Sequence, residues 1–427
     1  MKYKSSVIFI FVILILFCVS YFIPNLKMKN SENRTLATFG MVIHPDKDSV
    51  VYHDSPVERL DAALSDQFAF RELIVNNYLS FMNRSESFTY NISRQFTNTP
   101  DNQYVLHSIG QYELIDDTDY LTVFPETNKF DQNVINKRIE QINKIHDKYK
   151  NIKFYTYYVT QAYDTSWFDS FIGVKSANHY EEIREALPSY VTSDHLVYED
   201  LNDYMNIHYR TDHHWNHEGV KRGYEAIFKM MSKDIDLGEL KTPKALNNNS
   251  KTYNYKYLGS YGQILGDLYK AGAEDFSFYE YDIPNRETYI LDNSTYKEIK
   301  ASKLGLIDEY INGDINKDIG TDHYINMYGT AKDESGNTYN DNSYSYVIKN
   351  SKGNNENLLI ISDSYGRAFR DVLASHFSTT VYFDYRVLNN IPIDYLIEKY
   401  NITTILMNSN KTMWVNDEYF FRFRGDE

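Results

Sequence analysis

Leu358-Leu359-Ile360-Ile361-Ser362-Asp363-Ser364-Tyr365-Gly366 decides the fold of this chain. Four apolar residues in a row, bounded by a polar turn, read as a short strand buried on both faces, the kind found in a parallel sheet. An alternation follows: a helix over 367–377, a strand over 379–385, a helix over 393–400 and a strand over 403–407. That β-α-β-α-β order implies a parallel sheet with right-handed crossovers. Upstream, Ile135, Ile139, Ile142, Ile145 and Tyr149 recur every three or four residues among Lys, Glu, Asn and Gln, which predicts an amphipathic helix over 130–150. A strand rich in Tyr, Phe and Val follows at once over 152–160, and Leu60, Leu64, Phe68, Leu73 and Ile74 predict a further helix over 58–82. The expected fold class is α/β.

In parallel sheets chemistry gathers at the carboxyl ends of the strands. Ser364 stands at such an end, where a strand hands over to a helix. Backbone N–H groups of a first helical turn point outward, and the helix dipole favours negative charge there, so Ser364 and its neighbour Tyr365 are candidates for holding an oxyanion. Gly366 permits a sharp turn and close approach by a substrate. Asp and Ser are also favoured helix caps, so this string alone favours a plain cap at Asp363 and Ser364 over a nucleophile.

A serine is a weak nucleophile and needs a base, and the base needs an acceptor behind it. Arg210-Thr211-Asp212-His213-His214-Trp215-Asn216 offers both: His214 as base and Asp212 as its acceptor, with Trp215 available to pack the ring. In an extended loop His213 points the other way, which makes it the weaker base. A metal reading competes, because His208, Asp212, His213, His214 and His217 lie close together in sequence and are suitable zinc ligands. Their spacing does not match two histidines four apart on a helix flanking a Glu. A hydrogen-bonding loop without chemistry is the third reading. The serine-base reading is carried forward, with no metal and no cofactor expected.

Together the two strings resemble the DHHW protein family and the wider group of SGNH-like proteins that includes the periplasmic alginate O-acetylation proteins. The family's name string stands here as Asp212-His213-His214-Trp215, its serine block as Ser362-Asp363-Ser364-Tyr365-Gly366, and Asp384-Tyr385-Arg386 follows on the next strand. Glu32-Asn33-Arg34 and Ser65-Asp66-Gln67-Phe68-Ala69-Phe70-Arg71 look like the family's juxtamembrane segment, and Tyr324-Ile325-Asn326-Met327-Tyr328-Gly329 like its pre-serine loop. The resemblance implies a three-layer α/β/α SGNH-like domain with a parallel sheet and a permuted motif order, the Asp-x-His loop preceding the serine. It implies transfer of acyl groups, usually acetyl, to an extracellular polysaccharide, or their removal. It also implies a multi-pass membrane O-acyltransferase as the partner that brings the acyl group across the bilayer. Two departures stand out. Ser362 occupies the place of the usual glycine, and the separate Gly and Asn of the ordinary oxyanion hole have no counterpart. Gly329 is the candidate donor instead, and Arg386 the candidate at the pocket edge; either could be structural, Arg386 by pairing with Asp384.

The rest of the chain sets the context. Its 427 residues suit one large domain with appended elements. Val7 to Ile23 form a nearly unbroken apolar run, about 26 Å long as a helix and just able to cross a bilayer. Lys2 and Lys4 precede it and Lys27 and Lys29 follow, so flanking charge does not fix its direction. The sequence around Cys18 is a poor signal-peptide cleavage site, and Phe17 is too bulky for a lipoprotein signal. Residues 1–24 are therefore expected to be an uncleaved anchor, 25–57 a stalk, and 58–427 an exported catalytic domain with an insertion over about 237–346 that could wall a substrate groove. Within the insertion, 332–337 reads as a hairpin turn. The single cysteine allows no disulfide within the chain, and a net charge of −15 argues against nucleic acid as a partner. The 40 tyrosines fit a cleft for sugars or a merely biased composition. The function expected is a membrane-anchored extracellular O-acyltransferase acting on a polysaccharide. A carbohydrate esterase with the same triad and a non-catalytic polysaccharide-binding protein are the alternatives.

Overall fold

A computed structural model describes residues 37, 39–44, 55–67, 103–106, 110–115, 118–123, 130–168, 178–242, 256–257, 259–265, 269, 271–275, 279, 281, 286–291, 296–305, 330–333, 338–340, 345–386, 391–416 and 421–425. The chain divides into two compact units, residues 1–99 with 105–107, and residues 100–104 with 108–427. In the first unit, helix α1 (Pro56–Asp66) begins at Ser55, whose Oγ accepts the Val57 N–H at 3.2 Å, with proline in the first turn. Its end carries two buried polar residues that grip one peptide segment. Asp66 accepts the Ala37 N–H at 2.8 Å, and the Gln67 amide donates to the Ala37 carbonyl at 2.8 Å. The helix expected over 58–82 is thus present to Asp66; residues 68–100 lie outside the described residues, as do the proposed anchor over 1–24 and Gly329. No helix among the described residues is long and apolar enough to cross a membrane.

Among the described residues, the second unit is built on a ten-stranded sheet. In chain order its strands are β1 (Lys153–Tyr158), β2 (Val191–His195), β3 (Arg286–Leu291), β4 (Glu298–Gly305), β5 (Thr330–Asp333), β6 (Thr338–Asn340), β7 (Ser345–Asn350), β8 (Asn357–Ser362), β9 (Thr379–Asp384) and β10 (Thr404–Ser409). Across the sheet they run β6-β5-β4-β3-β7-β9-β8-β10-β1-β2. The half from β9 to β2 is parallel, as the sequence pattern implies. The other half is antiparallel, so the expected parallel sheet is only half of the sheet found. The cause is the segment over 237–346, which supplies β3 to β6. These strands extend the sheet edge to edge, and β5 and β6 pair around the predicted hairpin position.

Strand alternation divides the core. Tyr155, Ile360, Tyr382 and Leu406 share one face, and Phe154, Leu359, Val381 and Ile405 the other, in matching register across four parallel strands. Helices α4 (Leu201–Ile207), α5 (His217–Met231), which precedes the short α6 (Ser260–Leu265), and α7 (Ser364–Ala374) bury Ile207, Ile227, Phe369 and Leu373 on the first face, α6 contributing none of the four. Helices α2 (Gln132–Lys148), α3 (His179–Ala186), α8 (Ile393–Lys399) and α9 (Thr412–Val415) bury Ile142, Ile183, Leu396 and Trp414 on the second. Helices therefore cover both faces of the sheet. Much of the tyrosine excess lies in this core: Tyr155, Tyr157, Tyr158, Tyr224, Tyr346, Tyr365, Tyr382 and Tyr385 are fully buried.

Candidate active site

Strand β8 ends at Ser362 and α7 begins at Ser364, three residues earlier than the sequence pattern suggests. Asp363 caps it, its Oδ1 accepting the Tyr365 N–H at 3.0 Å. Asp363 is thus the cap, and Ser364, half-buried, stands at the carboxyl edge of the parallel strands. Gly366 is needed for a neighbour within the chain, since a Cβ there would lie 2.3 Å from the Ser362 Oγ.

The second string forms the loop between α4 and α5. His208 and Trp215 pair as an antiparallel bridge, with the Tyr209 N–H on the His214 carbonyl at 3.1 Å and the Asn216 N–H on the Ile207 carbonyl at 2.9 Å. The chain therefore turns back on itself instead of running extended, and Asp212, His213 and His214 sit at the turn. Trp215 is fully buried against Tyr365 and Phe369 at ring-centre distances of 5.8 Å and 6.0 Å, and Tyr365 in turn lies 4.8 Å from the His214 ring. The tryptophan braces the loop through Tyr365.

The loop meets the serine. His214 Nε2 lies 2.7 Å from Ser364 Oγ, and His214 Nδ1 lies 2.7 Å from Asp212 Oδ1. An ionised carboxylate only accepts, so Nδ1 carries the proton and Nε2 presents its lone pair to the hydroxyl. Asp212 Oδ1 also accepts the His214 N–H at 3.0 Å, and its Oδ2 accepts the Ser260 N–H at 2.7 Å. Burial opposes charge on Asp212, but His213 and His214 hold its carboxyl well below the usual range. Burial, reinforced by His213 and partly offset by Asp212, lowers His214 to about 4, so the ring is neutral at pH 7.

His213 does not point away. Its Nδ1 lies 3.0 Å from Asp212 Oδ1 and 3.1 Å from Ser260 Oγ, because the turn brings both imidazoles onto one carboxylate. Of the five residues in the metal reading, Asp212, His213 and His214 offer ligand atoms within 4.8 Å of one another and could hold an ion. His208 is buried and stacks on Tyr204 at 4.3 Å, and His217 packs edge-on against Tyr279 at 4.8 Å. In the hydrogen-bonded arrangement both nitrogens of His214 are already engaged.

The chain matches no family model and no curated protein by sequence. It does match solved structures. PatB1 of Bacillus cereus aligns over 73% of this chain and 100% of that protein, at 18% identity and a TM-score of 0.52. PatB1 with a sulfonyl adduct aligns over 72% and 98%, at 19% identity and 0.52. A DHHW family protein from Eubacterium siraeum aligns over 75% and 96%, at 16% identity and 0.51. The chain has the fold of these proteins.

The remaining expected site residues are placed less simply. The Tyr365 N–H serves the Asp363 cap and its hydroxyl donates to the His213 carbonyl at 2.9 Å, so Tyr365 supports the loop. Arg386 grips Asp384 with two bonds, Nε to Oδ1 at 3.0 Å and Nη2 to Oδ2 at 2.8 Å, the pairing weighed from sequence. Its charge still reaches the site, lowering the affinity of His214 and Asp363 for protons. Asp363 itself is pushed up to about 6 by burial, against the pull of Arg386. Sequence reasoning missed Gly259 and Ser260, which lie against Asp212, and Glu274, which accepts from the neighbouring Arg210 and Thr211. A Cβ on Gly259 would lie 2.3 Å from the Asp212 Cβ, so only glycine permits that approach. The one local hint is the pair of glycines, Gly259 and Gly262, around Ser260-Tyr261.

Proposed function

We propose that this chain is a serine O-acyltransferase of SGNH type that moves an acyl group, acetyl in the first instance, onto a hydroxyl of an extracellular polysaccharide. The observation that carries the reading is the hydrogen-bonded line from Asp212 through His214 to Ser364, with the tautomer that line requires. His214 Nε2 takes the hydroxyl proton as Ser364 Oγ attacks the donor ester carbonyl. The Ser364 N–H at the first turn of α7, unmatched within the helix, faces the developing oxyanion, and the helix dipole assists. The donor oxygen leaves with the proton from His214, and Ser364 carries the acyl group. A sugar hydroxyl then gives its proton to His214 and attacks the acyl-serine, which releases Ser364. Water in place of the sugar makes the same site an esterase. Asp212 and His214 serve as hydrogen-bonding partners here and no metal enters the cycle. Residues 1–24 anchor the chain as a single-pass membrane protein with the catalytic unit outside, within reach of a multi-pass acyltransferase that delivers the acyl group.

The test uses the full chain with an activated acetyl ester and a sulfonyl fluoride, the latter chosen because PatB1 is known with a sulfonyl adduct. Mass spectrometry should find acetyl and sulfonyl increments on the peptide holding Ser364, and neither in Ser364→Ala. Adding oligosaccharide acceptors then separates transfer from hydrolysis. Equal turnover by the two proteins removes Ser364 as nucleophile, and sugar binding without turnover favours the non-catalytic alternative.

A further inference from the structure

We infer that Glu274 is the positioning residue of this site, and that its carboxylate, acting through Thr211 and the Gly259–Ser260 peptide, fixes Asp212 and so aims His214 at Ser364. The inference rests on the acyl-transfer reading for its effect on rate, and on geometry alone for the clasp.

Glu274 lies in the short strand Glu274–Asp275, more than sixty residues beyond the loop that it holds. Its Oε2 accepts the Arg210 N–H at 2.9 Å, and its Oε1 accepts the Thr211 N–H at 2.9 Å and the Thr211 hydroxyl at 2.7 Å. The Thr211 hydroxyl has then given its one proton, so its lone pairs face the Gly259 N–H, which donates to it at 2.8 Å. That bond sets the orientation of the next peptide, whose Ser260 N–H donates to Asp212 Oδ2 at 2.7 Å. The Gly262 N–H on the Thr211 carbonyl at 3.0 Å closes the clasp from the other side. Arg210 returns the grip, its Nη2 donating to the Gly272 carbonyl at 3.0 Å beside the strand that carries Glu274. Asp212 is thereby held at both oxygens, one by the histidines and one by Ser260.

All three groups that face the Glu274 carboxylate are donors. Only an acceptor-only side chain satisfies them together. A glutamine keeps the size but turns an NH2 toward an N–H, which leaves a partly buried donor unpaired and pushes the loop away. Displacement of a catalytic group by about 1 Å costs on the order of 10²-fold in rate.

The experiment compares the full chain with Glu274→Gln in three measurements: steady-state turnover of an activated acetyl ester, the downfield proton resonance of the short His214 Nδ1–H···Asp212 bond, and thermal unfolding. Loss of the resonance in His214→Gln assigns it. For Glu274→Gln we expect kcat about 10²-fold lower with KM within about twofold, and the downfield resonance lost or moved upfield. Unchanged kcat and an unchanged resonance overturn the inference, as does lost activity with the resonance intact. Should Glu274→Gln fail to fold, Thr211→Val decides, since it breaks the relay and leaves Glu274 its two backbone partners: an altered resonance supports the clasp and a wild-type resonance overturns it. A wild-type protein without Ser364-dependent turnover sinks the acyl-transfer reading alone, because the resonance still reports on Glu274.

Discussion

His214 Nε2 meets Ser364 Oγ at 2.7 Å across 150 residues of chain, while its Nδ1 is held at 2.7 Å by Asp212 only two residues away. The local bond sets the tautomer that the distant one uses. Asp212→Asn keeps the shape but offers an NH2 to Nδ1, so the ring turns its proton toward the serine. We expect kcat to fall on the order of 10⁴-fold, as for the equivalent change in serine proteases, with KM nearly unchanged. Steady-state kinetics beside Ser364→Ala check this; a loss under tenfold contradicts the role given to Asp212.

The pH profile follows from the same ring. His214 must be neutral to take a proton, and burial with His213 beside it lowers its pKa to about 4. Protonation therefore removes activity only at low pH: kcat/KM should rise with pH through about 4 and level off well before 7. His213→Gln removes one of the groups that lower His214, so the acid limb should move to higher pH. A limb that stays in place, or moves down, shows that His213 does not tune the base.

The parallel half of the fold was legible because each element carries its own period. The 3–4 spacing of Ile135 to Ile145 and the four-residue apolar run before Ser362 are local, and they correspond to α2 and β8. The antiparallel half was not, since β3 pairs with β7 across more than fifty residues and its alternation is interrupted by charge. The Asp212, His214 and Ser364 strings were legible as chemistry. Glu274 was not, because a carboxylate that accepts backbone N–H groups leaves no mark in the residues it holds. His208 misled for the opposite reason: sequence proximity to the other histidines suggested a ligand, and the fold made it a buried ring.

His208 supplies a stability prediction. Its ring is buried and stacks on Tyr204 at 4.3 Å. Burial foremost lowers its pKa to about 3 from 6.5. The unfolded chain thus binds the proton more readily between those values, and the folded state loses stability as pH falls below about 6.5. His208→Phe keeps the stack and removes the titration. Relative to the parent chain, we expect the variant to gain about 1.4 kcal/mol for each unit that pH falls below 6.5, so about 2 kcal/mol between pH 7 and pH 5. Urea unfolding at the two pH values checks this. Lost activity together with lost bound metal in this variant would instead revive the metal reading.

Gly259 and Ser260 separate backbone from side chain behind Asp212. A Cβ on residue 259 would lie 2.3 Å from the Asp212 Cβ, 2.6 Å from the Thr211 carbonyl oxygen and 2.7 Å from Asp212 Oδ2. Two of these atoms are a Cβ and a backbone oxygen and the third is a carboxylate oxygen held by the Ser260 N–H, so Gly259→Ala must displace the loop. Its expected cost is about 1–3 kcal/mol of stability from overpacking and on the order of 10²-fold in kcat from a misplaced Asp212. Ser260→Ala is the counterpart. It keeps the N–H on Asp212 Oδ2 and deletes only the hydroxyl 3.1 Å from His213, so kcat should stay within about threefold. Because the two residues are adjacent, a general weakness of this segment would damage both variants alike. Similar losses in the two, measured in parallel by kcat and urea midpoint, would mean that Asp212 depends on the segment as a whole and not on the one peptide that touches it.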